Sequence, residues 1–257
     1  MPRTARKRSS TGIYHVMQRG INKQNIFLDY DDYARYLNTF YKYAVECKIN
    51  ILGYCLMKNH VHLLLKENEI SLAILMKKIG SSFVYKYNEK YDRVGHLFQD
   101  RFKSEVVEND KYLLTVLRYI HNNPVVAGLV ENIQDYKWSS YKNYVYNKGF
   151  INTSLVLDIL SEKAIIAKKK YVRFMGLCND DKCLDIANKV RLSDKKAEKL
   201  IKDYCEINDL NQLKEKDIAN KKELYNHFIT NFAVSYRQLA RLTGDSRERI
   251  MKMLNSF

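Results

Sequence analysis

The pair His60-Val61-His62, followed along the chain by Tyr119 and Asn123, carries the residue types of a metal-assisted phosphoryl-transfer site. Side chains alternate across a β-strand, so a strand from His60 to Lys66 puts both imidazoles and Leu64 on one face and Val61, Leu63 and Leu65 on the other. Neutral imidazole suits a transition ion, and two imidazoles completed by oxygen donors leave positions open for water or a phosphate oxygen. On a helix beginning near Lys111, Tyr112, Val116, Tyr119 and Asn123 share one side, while Leu113, Leu117 and Ile120 share a neighbouring side suited to burial. A phenol placed there can attack phosphorus while a cation offsets the charge developing on the non-bridging oxygens, and the Asn123 amide oxygen can complete the ligand set. Spacing alone reads first as an ordinary sheet pair of histidines, and 20 tyrosines leave Tyr119 no more prominent than Tyr85, Tyr87 or Tyr112.

Several elements must position these residues. From Gly12 to about Gly149 short strand-like runs alternate with longer helix-like ones, the pattern of an α+β or α/β domain. The alternation predicts a strand over Ile13 to Gln18 and a helix over Asp31 to Glu46, with Tyr33, Tyr36, Leu37, Phe40 and Ala44 at helical spacing. Strands over Ile49 to Met57 and His60 to Lys66 follow, and the two-residue connection Lys58-Asn59 makes them an antiparallel hairpin. A helix over Ser71 to Tyr91 and a strand over Phe102 to Val107 come next. The last helix is capped by Asn109 or Asp110 and ends near Asn122, because Pro124 disfavours helical geometry in the residue before it. This order predicts a ferredoxin-like split βαβ sheet with one added helix.

Composition narrows the partner. The 257 residues include 44 Lys and Arg against 29 Asp and Glu, a net charge of +15 that points to a polyanion and first to nucleic acid. No run of about 18 apolar residues and no secretory core occur, so a cytoplasmic location without a membrane partner is expected. The five cysteines, Cys47, Cys55, Cys178, Cys183 and Cys205, show neither C-x-x-C spacing nor a disulfide framework and read as reduced thiols. Arg3, Arg6, Lys7 and Arg8 form a basic N-terminal segment that reads as a solvated tail or a phosphate-contacting arm.

Beyond about Asn152 the strand signal fades, and Ser193 to Cys205 and Lys221 to Phe232 have apolar residues at helical spacing. The expected division is therefore a catalytic domain over residues 1–149 and an all-helical region over 150–257. Within 235–255, Ala240, Gly244 and Ile250 have helix-turn-helix spacing, whose second helix presents Arg247, Glu248, Arg249 and Lys252 to DNA. A plain helical hairpin that packs on the rest is the alternative.

Four strings carry a more specific signal: residues 14–20 (YHVMQRG), 57–64 (MKNHVHLL), 97–103 (LFQDRFK) and 118–125 (RYIHNNPV), with Trp138-Ser139-Ser140-Tyr141 closing the segment. Over about residues 10–145 the chain resembles the REP-associated tyrosine transposases, single-tyrosine members of the HUH endonuclease superfamily. The resemblance implies a divalent ion, Mg²⁺ or Mn²⁺, held by His60 and His62 with Asn123 completing the site. It implies that Tyr119 attacks single-stranded DNA beside a hairpin, leaving a 5′-phosphotyrosine link and a free 3′-hydroxyl for later joining. Arg19, Arg101 and Lys103 lie in the matching strings and are expected on the DNA backbone. The expected protein is thus a DNA nicking and joining transposase, monomeric or homodimeric. Its rivals are a non-catalytic hairpin-binding regulator derived from a transposase and a metal phosphodiesterase that activates water.

Overall fold

The structure is a computed structural model that describes residues 6–146, 149–177, 183–184, 193–215, 217–232 and 234–255. Arg3 and Cys178 lie outside the described residues. The chain forms two compact units, Met1–Ile186 and Ala187–Phe257.

The first unit is built on strands β1 (Ile13–Arg19), β2 (Asn50–Met57), β3 (His60–Lys66) and β4 (Lys103–Val106), antiparallel throughout in the order β2-β3-β1-β4. Helix α1 (Tyr30–Glu46) joins β1 to β2, and α2 (Leu72–Lys90) joins β3 to β4. Each crossover passes over a neighbouring strand, the split βαβ arrangement of a ferredoxin-like sheet. The period-2 pattern decides which face each helix covers. Tyr14, Val16, Tyr54, Leu56, Val61, Leu63 and Leu65 form one core with α1 and α2. Ile13, Cys55, Met57 and Leu64 face the opposite way, into a second core with α3 (Asp110–Val126). The helix starts where the sequence predicts: Asn109 accepts a hydrogen bond from the Tyr112 N–H and caps it.

Two expectations are corrected. Helix α3 runs through Pro124 to Val126 rather than stopping near Asn122. Proline removes one N–H, but the final turn is closed by Ala127 N–H to Asn123 O and Gly128 N–H to Val125 O, and the buried Pro124 ring packs inward. The compact unit also ends after Ile186, well past Gly149. Helices α4 (Tyr141–Tyr146), α5 (Ser154–Leu160) and α6 (Ala164–Met175) add Tyr141, Tyr144, Val156, Leu157, Tyr171 and Met175 to the α3 core. The segment 138–140 lies along β2, with Leu56 N–H donating to Trp138 O and Ser140 N–H to Tyr54 O, so that edge of the sheet is covered.

The second unit comprises α7 (Asp194–Cys205), α8 (Ile218–Phe232), α9 (Tyr236–Thr243) and α10 (Arg247–Asn255) around Ile201, Leu224, Tyr225, Phe228, Leu239 and Ile250. Gly244 ends α9 in the left-handed region, φ 76°, which lets the chain reverse into α10. No helix among the described residues is long and apolar enough to cross a membrane. Among the described residues no cysteine forms a disulfide.

Candidate active site

The register of the sheet determines where the histidines go. His62 of β3 pairs with Met17, and His15 of β1 pairs with Leu64 and, on its other side, with Glu105 of β4. His15 and His62 are therefore diagonal neighbours on the α3 face. His15 Nε2 and His62 Nδ1 lie 3.0 Å apart, and both rings are fully buried. His60, two residues along β3, places its ring 5.0 Å from that of His62 and hydrogen-bonds through Nδ1 to Asn59 Oδ1 at 2.6 Å.

Tyr119 reaches this group from above the sheet. Its ring stands edge-on to His62 at 5.6 Å and to His15 at 6.0 Å between centroids. Gly53 lies beneath the helix: a Cβ there would lie 2.6 Å from Leu117 Cδ1, so the Leu117 side chain would have to give way. The residues flanking Tyr119 are engaged elsewhere. His121 Nδ1 is 2.8 Å from the Tyr171 hydroxyl and its Nε2 is 2.7 Å from Ser140 Oγ. Asn122 donates to Met175 O, and the Arg118 guanidinium lies over the Phe174 ring. The 118–125 string thus serves two purposes, with Tyr119 turned to the sheet and Arg118, His121 and Asn122 holding α6.

Burial sets the protonation of the imidazoles. It pushes the pKa of His62 well below its ordinary value, with neighbouring His15 and His60 adding to the effect. Burial and the adjacent Arg19 bring His60 down to about 4. Both rings are neutral near pH 7 and present lone pairs, as metal ligation requires. His62 Nε2 is buried without a hydrogen-bond partner among the described residues. An orphaned acceptor beside a second neutral imidazole is a donor set that fits a divalent cation. Asn123 donates from Nδ2 to Tyr119 O at 3.0 Å. Among the described residues there is no cluster of three or more His, Cys, Asp or Glu able to hold a metal.

The predicted backbone-contacting residues Arg19, Arg101 and Lys103 line one cleft of about 100 Å³ with Gln18, Gln99 and the carboxylate of Asp100. Arg101 and Lys103 are exposed, whereas Arg19 is buried beside His60. In the second unit Arg249 lies 3.3 Å from Asp245, which also meets Lys221 at 3.4 Å, while Lys252 is exposed and Arg247 half-buried. Reasoning from the sequence passed over His15 and Glu105 as site residues. Alternation marked His15 as a strand residue, but nothing local placed β1 beside both β3 and β4.

Residues 8–123 match the family model described as transposase IS200 like. A Haemophilus influenzae REP-associated tyrosine transposase is 30% identical over 123 residues, 43% of this chain and 69% of that protein. By this relationship the chain belongs to the REP-associated tyrosine transposase family. A solved REP-associated tyrosine transposase, bound in that structure to a REP hairpin, superposes with a TM-score of 0.54 at 15% identity, covering 75% of this chain and all of the other. That likeness establishes a common fold.

Proposed function

We propose that the protein cleaves and rejoins single-stranded DNA at hairpins with Tyr119 as nucleophile. The observation that carries the reading is the Tyr119 ring packed edge-on against His62, whose buried Nε2 has no partner among the described residues. The hairpin bound in the related solved structure gives the class of substrate. The Tyr119 oxygen attacks phosphorus and the P–O3′ bond breaks. The leaving 3′-oxygen takes up a proton as the phenol gives one up, and the downstream strand remains as a 5′-phosphotyrosine ester. Attack by a free 3′-hydroxyl on that ester reverses the step and joins strands, with bond energy conserved throughout.

His60 and His62 are the residues that would hold Mg²⁺ or Mn²⁺, with the Asn123 carbonyl oxygen as a third ligand. Bound there, the ion would neutralise charge on the non-bridging phosphate oxygens. The basic cleft of Arg19, Arg101 and Lys103 supplies cationic contacts for the strand as it approaches. The second unit adds a helix-turn-helix in which α10 offers Arg247, Arg249 and Lys252 to duplex DNA.

The test incubates 3′-labelled single-stranded hairpin oligonucleotides with the protein and Mg²⁺ or Mn²⁺, then denatures the mixture. Label is expected on the wild-type protein and not on Tyr119→Phe, which should still bind the hairpin. Hairpin binding with no adduct across a broad hairpin library would establish the non-catalytic regulator instead. Cleavage that survives Tyr119→Phe would establish a water-activating phosphodiesterase.

A further inference from the structure

The histidine that faces the nucleophile sits at one end of a polar row crossing three strands. Glu105 on β4 lies directly opposite His15 on β1, its Oε2 3.9 Å from His15 Nδ1. His15 Nε2 is in turn 3.0 Å from His62 Nδ1, with the ring planes 28° apart. The row ends at His62 Nε2, which has no partner among the described residues. Glu105 is itself fixed, since its Oε2 accepts the Leu184 N–H at 2.9 Å.

Two proton arrangements are open to this row, and the Glu105 charge 3.9 Å from His15 Nδ1 selects between them. A neutral imidazole has one N–H and one lone pair. A carboxylate only accepts, so the Glu105 charge favours the His15 tautomer that carries its proton on Nδ1. His15 Nε2 is then a lone pair and can only accept, so His62 Nδ1 must be the donor of the 3.0 Å bond. That leaves the His62 lone pair on Nε2. We infer that His15 and Glu105 are positioning residues that lock His62 in the Nδ1–H tautomer, so that Nε2 faces the site as a ready ligand. Partners of this kind fix ring orientation and ligand basicity in metal sites generally, and losing one commonly lowers metal affinity ten- to a hundredfold. The inference rests on His62 being a ligand, as proposed above, but the tautomer itself can be read without a metal.

The test records ¹⁵N imidazole shifts by NMR in the metal-free full chain, then measures Mn²⁺ affinity. His62 Nε2 is expected to be unprotonated in the wild type and in His15→Gln, whose carbonyl can reach the position of His15 Nε2 and accept the same bond. In His15→Phe the acceptor is gone, His62 becomes a mixture of tautomers, and Mn²⁺ binding weakens about ten- to a hundredfold. Glu105→Ala, on a strand at the sheet edge and therefore tolerant, is expected to mix the tautomers even if His15→Phe fails to fold. A protonated His62 Nε2 in the wild type, or a tautomer unchanged in Glu105→Ala and His15→Phe, overturns the inference. A wild type with the expected tautomer but no Mn²⁺ affinity upholds the locked row and counts instead against His62 as a ligand.

Discussion

The Tyr171 hydroxyl lies 2.8 Å from Nδ1 of His121, so the helix that carries Tyr119 is bonded on its opposite side to α6. Ser140 Oγ satisfies the other nitrogen of the same ring and also accepts from Tyr54 N–H, extending the network into β2. The position of Tyr119 therefore depends on residues far downstream of the segment that carries it.

Tyr171→Phe is expected to destabilise the first unit by about 1–3 kcal/mol, because His121 Nδ1 is left buried without its bond. Urea unfolding followed by tyrosine fluorescence measures the shift. A fragment ending at residue 149 should lose cooperative unfolding, whereas one ending at residue 186 should keep it.

Acid should unfold this protein in part through its buried histidines. Burial holds His121 down to about 3 and His60 to about 4, whereas both titrate near 6.5 in the unfolded chain. Between those values the unfolded chain binds protons that the fold refuses. Stability from these groups is thus fully present above about pH 6.5 and falls as pH drops towards 3. Each such proton contributes a slope of about 1.4 kcal/mol per pH unit. Urea midpoints from pH 3 to 8 test this, and His121→Gln should flatten the slope by up to one proton.

Gly53→Ala is expected to push the Leu117 side chain out of its place between α3 and the sheet, since the new methyl would meet Leu117 Cδ1 at 2.6 Å. Overpacking of this kind costs about 1–3 kcal/mol. Adduct formation should fall by more than stability does, because Tyr119 is two residues from the clash. Adding Leu117→Val should recover part of both, and a double-mutant cycle on unfolding free energy and adduct yield checks the coupling.

Arg247→Gln and Lys252→Gln should each lower the salt dependence of duplex binding by about one unit of slope. Arg249→Gln should lower it less, because its guanidinium is already shared with Asp245 at 3.3 Å. Fluorescence anisotropy of a labelled duplex across a salt series reads all three, and a slope unmoved by any of them removes α10 from the interface.

Much of this architecture was legible in the residues. Alternation located β3 to the residue, from His60 to Lys66, and placed both histidines on one face. Helical spacing put Tyr119 beside the buried Leu117 and Ile120 stripe. What local pattern could not supply was pairing between distant strands. His15 gains its meaning only when β1 lies between β3 and β4, a matter of topology and register. The unit boundary was misjudged for the same reason. Val156 and Tyr171 read as members of an independent helical half until their burial against α3 is seen. Pro124 misled in another way: a rule about one residue's backbone was outweighed by hydrogen bonds closing the turn around it.

The row from Glu105 to His62 has a consequence for synthesis on the ribosome. Its members come from three strands, and the phenol that faces it arrives on a helix translated after all of them. On the mechanism proposed above, a nascent chain acquires its nucleophile only when that last helix has emerged and docked.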